Sequence, residues 1–375
     1  MAAAASALAL FACDRPAEAP APARPATPAE EPRPPAPVAE SPTVQRIRAR
    51  GRLLCGVHPG LPGFAFRDTR GVWRGFDVDL CRAVAAAVLG DGDQVTFRPL
   101  RNDQRVEALL SGRVDLVARN VTWTMARDAA GVDFAGVSYY DGQGFLVRRA
   151  LNLQGAGELN GAAVCVQRGT TNVANLGDWA RGLGLEYREV LVADEAEGRA
   201  RLQDEACDAL SGDISALAST RTILNTPNAY VLLPDVISRE PLGPMVREED
   251  SGWRDVVRWT LNALVLAEQA GVTQETVEEA TTNARSPEVR RLLGAEGALG
   301  QTLGLRADWA AEVIGAVGNY GEMFERNLGA GTPLELRRGL NALWSAQPAG
   351  LMYPLPLGTP EVAAPTPPTS GRATR

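Results

Sequence analysis

The order of apolar runs along the chain is the feature that most constrains its fold. Strand-like runs alternate with helix-like runs, and the alternation occurs in two rounds that begin near residues 53 and 162. Such alternation is typical of parallel sheets flanked by helices. The sequence therefore predicts an α/β protein with two lobes of similar architecture.

The two rounds place the predicted elements as follows. In the first round they are strands at 53–57, 94–100 and 115–118, with helices on the apolar faces around Val84 and Val106; in the second they are strands at 162–166, 187–192 and 208–210, with helices at 171–181 and 195–205. Extended segments at 144–148 and 236–239 bracket the second round, so we expect the chain to cross there and form a hinge. A helix at 253–270 and helical pieces up to 342 should complete lobe 1. Lobe 1 is then residues 44–143 with 243–353, and lobe 2 is residues 144–242.

The two ends of the chain differ from the body in composition. Residues 1–12 are small and apolar, and Leu10-Phe11-Ala12 precedes Cys13 as a lipoprotein signal precedes its lipidated cysteine. The basic region of a signal peptide is missing, so the start lies inside a longer leader, or the segment is a disordered alanine-rich N-terminus with an incidental cysteine. Proline and alanine dominate residues 14–43 and 354–375, which we expect to be a disordered tether and tail.

Composition excludes several functions. The formal charge of −7 disfavours binding to nucleic acid or to anionic lipid. No lysine occurs in the sequence, which rules out a phosphate-loop lysine, a Schiff-base lysine and a Ser-Lys dyad. His58 is the single histidine, so an imidazole triad or a zinc site would have to be built around it.

Four cysteines lie in the body of the chain and permit three pairings. None has the CxxC spacing of a zinc or thioredoxin site. In an exported protein, segregation by lobe favours Cys55 with Cys81 and Cys165 with Cys207. In a cytosolic protein, four buried free thiols would be the better interpretation.

Polar residues follow three predicted strands, at the edge where open α/β sheets bind ligands. Arg119 and Arg127 follow the strand at 115–118, and an arginine fork matches a carboxylate, although Arg127 on a helix surface is the alternative. Thr170 and Thr171 precede a helix whose first N–H groups favour an anion, and Asp213 could accept hydrogen bonds from an ammonium group. For Thr170, Thr171 and Asp213, the alternative is a helix N-cap that binds no ligand. Together these segments offer complementary charges to a zwitterion.

Residues 44–353 resemble the periplasmic amino-acid-binding proteins of ABC transporters, and most closely the general L-amino-acid-binding branch. The motifs that carry the resemblance are Cys55-Gly56-Val57, Gly60-Leu61-Pro62-Gly63-Phe64, Gly75-Phe76-Asp77-Val78-Asp79, Arg119-Asn120-Val121-Thr122-Trp123, Tyr139-Tyr140-Asp141-Gly142-Gln143, Gly169-Thr170-Thr171, Glu240-Pro241-Leu242-Gly243-Pro244, Gly318-Asn319-Tyr320-Gly321 and Arg338-Gly339-Leu340-Asn341. The resemblance implies a type II periplasmic-binding-protein fold, with two α/β lobes and a two-stranded hinge. The family's four body cysteines match the two pairs above.

The resemblance also implies roles for individual residues. Arg127 would bind the ligand's carboxylate with help from Thr122 and Thr171, and Asp213 would accept from its ammonium group. The other expected ligand contacts are the backbone carbonyl of Asn120, Thr170, His58 in the side-chain pocket, and Phe64 and Trp123 as apolar walls if they do not belong to the core.

The implied function is capture of free L-amino acids of broad specificity in the periplasm, by a monomer that closes around the ligand and delivers it to an inner-membrane permease. No covalent step, cofactor, metal or nucleic acid takes part, and a lipid on Cys13 would anchor the protein to the membrane. The rival from another class is an enzyme on the same fold, such as a cyclohexadienyl dehydratase. It needs an acid in the cleft, for which Glu107 and His58 are the candidates. A receptor's sensory domain is a third interpretation, which no attached transmembrane or kinase segment supports.

Overall fold

The computed structural model describes residues 41–297 and 299–358. The expectations for residues 1–13, for the tether up to residue 40 and for the tail from residue 359 lie outside the described residues. The fold begins before the predicted boundary at residue 44, because Ser41 caps the first helix and its Oγ donates to Asp250 at 2.8 Å. At the other end, the Asn262 side chain donates to the backbone oxygen of Leu355 and accepts from its backbone N–H.

The described residues contain fourteen strands. Their bounds are β1 Leu53–Val57, β2 Phe66–Arg67, β3 Trp73–Arg74, β4 Val95–Pro99, β5 Leu116–Val117, β6 Val132–Phe134, β7 Tyr139–Asp141, β8 Gln143–Arg148, β9 Ala163–Gln167, β10 Arg188–Val192, β11 Ala209–Asp213, β12 Tyr230–Leu232, β13 Glu240–Leu242 and β14 Met245–Arg247. The predicted strands of both rounds are confirmed, with bounds that differ from the prediction by at most three residues.

Thirteen α-helices lie within the same described residues. Their bounds are α1 Pro42–Arg50, α2 Phe76–Leu89, α3 Arg105–Leu110, α4 Met125–Asp128, α5 Thr171–Leu183, α6 Glu195–Gln203, α7 Ile214–Thr222, α8 Ser251–Gln269, α9 Val277–Asn283, α10 Pro287–Leu292, α11 Leu299–Thr302, α12 Trp309–Val317 and α13 Tyr320–Asn327. The C-terminal helices α8, α12 and α13 pack on α2, as expected for the completion of lobe 1. Among the described residues no helix is both long and apolar enough to cross a bilayer.

Two five-stranded sheets share one pattern of strand directions. The first has the order β4-β1-β5-β14-β6 and the second has the order β10-β9-β11-β8-β12. In each sheet the first three strands run parallel and the fourth runs antiparallel to the third. We refer to the first sheet with its helices as lobe 1 and to the second as lobe 2.

The hinge lies elsewhere than predicted. The segment 144–148 belongs to β8, which pairs on both sides inside the second sheet. The paired crossings are instead β7 and β13, which form a two-stranded antiparallel sheet with Glu240 opposite Asp141. An extended apolar run has the same pattern in a sheet as in a crossing, so periodicity could not separate the two.

Each lobe contains one of the predicted disulfides. Cys55 of β1 is bonded to Cys81 of α2, and Cys165 of β9 is bonded to Cys207, which precedes β11. All four cysteines are fully buried. The intralobe pairing is therefore confirmed, and each bond ties a central strand to its own lobe.

Candidate ligand-binding site

A cavity of about 80 Å³ lies between the lobes, at the carboxyl ends of the parallel strands. Seven of the eight predicted site residues line it: His58 after β1, Asn120, Thr122 and Arg127 after β5, Thr170 and Thr171 after β9, and Asp213 at the end of β11. These residues come together because the parallel strands of both sheets end at the cleft.

Phe64 is the predicted site residue that does not line this cavity. Its ring is fully buried against Phe76 and Tyr139, with ring centroids 6.4 and 5.6 Å apart. The turn closed by the bridge between Leu61 and Ala65 brings Leu61 to the cavity in its place. Trp123 does not line the cavity either. Its ring stacks on that of Phe134, with ring centroids 5.4 Å apart.

Arg127 lies on the short helix α4, whose N-cap is the Thr124 hydroxyl. Its Nη1 donates to the backbone oxygen of Thr122 at 2.8 Å, and no described carboxylate forms an ion pair with the guanidinium. Burial lowers the pKa of Arg127, while Glu240 and Asp213 act in the opposite direction. Arg127 therefore keeps free donors at the cavity rather than being a surface residue.

Asp213 occupies the N-cap position of α7, but its side chain makes no capping hydrogen bond. Its Oδ1 is buried and has no hydrogen-bond partner among the described residues. Burial, followed by repulsion from Asp141 and Glu240, raises the pKa of Asp213 well above its usual value. A buried carboxylate in this setting needs a cation, and an ammonium group would supply both the charge and the hydrogen bonds.

Glu240 joins the lobes at the hinge and is almost fully buried. Its carboxylate accepts from Thr122 of lobe 1 at 2.6 Å and from Thr171 and Asn175 of α5 in lobe 2 at 3.0 and 2.7 Å. Ser238 donates to it as well, at 2.6 Å. The hydroxyl protons of both threonines are thus directed to Glu240, which leaves the backbone N–H groups of the first turn of α5 for a ligand.

The first turn of α5 remains open to the cavity. The Thr170 hydroxyl donates to the backbone oxygen of Gln167 at 2.7 Å and does not cap the helix. Gly169 has a φ of 72°, a left-handed conformation that suits glycine at this turn. Asn120 has a positive φ of 45°, and its side-chain oxygen has no partner among the described residues.

His58 of lobe 1 reaches across the cleft to Glu195, the first residue of α6 in lobe 2. The imidazole Nδ1 accepts from the backbone N–H of Gly60 at 3.0 Å, and Nε2 lies 3.0 Å from Glu195 Oε1. Burial lowers the pKa of His58, so the neutral ring donates from Nε2. Burial opposes the charge of Glu195, but the hydrogen bond from His58 and the positive charge of Arg119 outweigh this effect and lower the pKa of Glu195 to about 2.

Sequence reasoning missed three charged residues of this region. Glu195 directly follows the linker after β10, so the strand-end rule could have identified it. Glu240 lies in the motif Glu240-Pro241-Leu242-Gly243-Pro244, which assigns no role to its side chain, and Arg105 stands at the start of α3, where no local pattern marks it. Glu107, the acid considered for the enzyme, is exposed and paired with Arg113, and it does not line the cavity. No group of three metal-ligating side chains occurs among the described residues.

Two lobes whose sheets have the same pattern of strand directions, a two-stranded hinge and a charged interlobe cavity define a solute-binding protein of the type II periplasmic-binding-protein fold. The chain belongs to the bacterial extracellular solute-binding proteins, family 3, whose family model matches residues 53–278.

Similar proteins cover most of the chain. The glutamate/glutamine/aspartate/asparagine-binding protein of Rhodobacter capsulatus is 49% identical over 85% of this chain and 94% of its own length. The general L-amino acid-binding periplasmic protein of Rhizobium johnstonii is 48% identical over the same shares of the two chains. A periplasmic binding protein of an ABC transporter from Brucella ovis, solved with glutathione bound, is 47% identical, with a TM-score of 0.82 over 85% of this chain and all of its own.

Proposed function

We propose that this protein captures free L-amino acids in the periplasm and delivers them to an ABC transporter in the inner membrane. One observation carries the proposal: Arg127, which forms no ion pair among the described residues, and Asp213, whose buried Oδ1 has no hydrogen-bond partner among them, face the same interlobe cavity. Arg127 and Asp213 are close enough that each shifts the pKa of the other. The names of the Rhodobacter and Rhizobium relatives support the same ligand class.

In this proposal Arg127 and the N–H groups at Thr170 and Thr171 bind the ligand's carboxylate, and Asp213 with the Asn120 carbonyl binds its ammonium group. The Glu240 bonds to Thr122 and Thr171 stabilise the closed arrangement of the lobes. Binding favours closure because both lobes contribute contacts. The protein acts as a monomer without covalent chemistry, and lipid attachment at Cys13 would hold it near the permease.

A thermal-shift panel tests the proposal. Full-length protein freed of ligand should gain stability with several common L-amino acids, since a ligand that binds only the native state stabilises it. Primary amines without a carboxylate and carboxylic acids without an amine are the matched controls and should give no shift. A panel with no shift from any amino acid, or turnover of prephenate or arogenate, would count against the proposal.

A short peptide with an amino-acid head is the second candidate ligand. A further chamber of about 500 Å³ adjoins the cavity and shares Arg119, Gln167 and Glu195 with it, which leaves room for a longer ligand. The Brucella relative was solved with glutathione bound. Tighter binding of glutathione than of any free amino acid, measured by calorimetry, would favour this candidate.

A further inference from the structure

Three carboxyl groups lie close together where the hinge meets the interlobe cavity. Asp141 on β7 pairs with Glu240 on β13 in the hinge sheet, and Asp213 stands at the end of β11 in lobe 2. Asp141 also accepts hydrogen bonds from the backbone N–H and the hydroxyl of Ser215, in the first turn of the helix that Asp213 precedes. Both Asp141 and Glu240 are near enough to oppose ionisation of Asp213. Carboxyl groups that share one buried region ionise less readily than isolated ones, because their charges repel.

Asp141 and Glu240 have the donors that a charged carboxylate needs. Besides Ser215, the backbone N–H of Gly142 donates to Asp141 at 2.9 Å. Glu240 accepts from the four side chains described above. Hydrogen bonds to the ionised form favour that form. Burial raises the pKa of Asp141 to about 6, which leaves this acid ionised at neutral pH.

Asp213 has fewer donors around it. The Asn172 side chain on α5 favours the charged form of Asp213 by hydrogen bonding, but the buried Oδ1 has no partner among the described residues. Arg127 on α4 and Arg105 on α3 also attract the negative charge, yet neither donates to Oδ1. Burial, followed by repulsion from the other two acids, outweighs these effects and raises the pKa of Asp213 well above its usual value. Asp213 is therefore the acid of the three that most readily retains a proton.

An ammonium group at Asp213 reverses this preference. It brings a positive charge and three N–H donors to an oxygen that has no partner among the described residues. A positive charge in direct contact with a carboxylate favours the ionised form, and the effect is large where the pair is buried. The liganded site therefore needs the charged carboxylate, and the proton has to leave for the solvent.

We propose that Asp213 carries a proton in the unliganded protein, kept there by the charges of Asp141 and Glu240, and that the ligand's ammonium group displaces this proton. The inference rests on the function proposed above, which places the ammonium group at Asp213. Capture of one amino acid then releases one proton to the solvent. Affinity rises with pH wherever binding releases protons, so the protein holds its ligand less tightly at acidic pH. Asp141 acts through Asp213 and is a positioning residue of the site.

Calorimetry with L-glutamine and L-alanine at pH 5, 6 and 7 tests this on full-length protein freed of ligand. The side chains of these two amino acids do not titrate in this range, and measurements in two buffers of different ionisation enthalpy give the number of protons released. We expect the release of about one proton per ligand at pH 5. Affinity should fall roughly 10- to 100-fold from pH 7 to pH 5, because one released proton corresponds to about a tenfold change in affinity per pH unit.

Four variants assign the proton to its group. Asp141→Asn removes the neighbouring charge but keeps an oxygen for the Ser215 N–H, so it should release fewer protons at pH 6 and show a weaker dependence of affinity on pH. His58→Gln and Asp77→Asn remove two other groups near the cavity that can titrate close to this range, and the release should persist in both. Asp204→Asn alters an exposed acid and should match the unaltered protein.

The outcomes separate this inference from the proposed function. Binding at pH 5 without proton release, with an affinity that does not vary with pH, overturns the inference and leaves amino-acid binding intact. Release that is lost in His58→Gln or Asp77→Asn but complete in Asp141→Asn assigns the proton to another group and also overturns it. If Asp141→Asn does not fold by circular dichroism, the proton counts of the unaltered protein, His58→Gln and Asp77→Asn decide. No binding of any amino acid overturns the proposed function itself.

Discussion

Asp213→Asn should lower ligand affinity and raise the stability of the unliganded protein. Asp213 Oδ1 is buried without a partner among the described residues, so asparagine removes the charge and nearly preserves the shape. Removing one partner of a buried ammonium–carboxylate pair costs about 2–5 kcal/mol. At about 1.4 kcal/mol per tenfold, affinity for an L-amino acid should fall roughly 30- to several-thousand-fold.

The stability effect has the opposite sign. Burial and the neighbouring carboxylates raise the pKa of folded Asp213 above the value of about 3.9 expected in the unfolded chain. Between the two pKa values the folded state holds a proton that the unfolded state releases. The free energy of unfolding therefore falls as the pH rises above about 4 toward the raised pKa. Asparagine does not titrate, so at pH 7 the unliganded variant should be the more stable protein.

Calorimetry with one L-amino acid and urea denaturation at pH 5 and 7 measure the two effects. Asp204→Asn is the matched control, because Asp204 is exposed at the end of α6 and should alter neither quantity. Affinity of Asp213→Asn within about threefold of the unaltered protein would refute the assignment of the ammonium site.

Three further predictions follow from other parts of the molecule. Arg127→Ala should cost about 2–5 kcal/mol of binding and leave the fold intact by circular dichroism; unchanged affinity by calorimetry would place the carboxylate clamp elsewhere. Burial raises the pKa of Asp77 to about 7, so stability falls as the pH rises from about 4 to 7. Asp77→Asn should thus be more stable than the unaltered protein by roughly 2–4 kcal/mol at pH 8, whereas the two proteins should be similarly stable at pH 4. Equal urea midpoints at pH 8 would contradict this prediction. Replacing Cys165 and Cys207 by serine opens a loop with a sequence separation of 42 residues and should cost ~4 kcal/mol. An unchanged melting temperature would argue against this disulfide.

The sequence by itself determined the two α/β lobes, the strands of each round and the residues at the strand ends. These features depend on apolar periodicity and on the rule that parallel strands present ligands at their carboxyl ends. Arg127, Thr171 and Asp213 reach the cavity for this reason. Segregation of the cysteines by lobe sufficed to pair them correctly.

Only the tertiary structure decided which charges meet across the cleft. His58 and Glu195 are 137 residues apart in the chain, and Thr122 and Glu240 are 118 residues apart. No local pattern encodes such pairs, because they depend on how the two lobes close on each other. Burial is equally non-local: Phe64 lies in the core, and Arg105 is a buried cation that lines the interlobe cavity and forms no ion pair among the described residues.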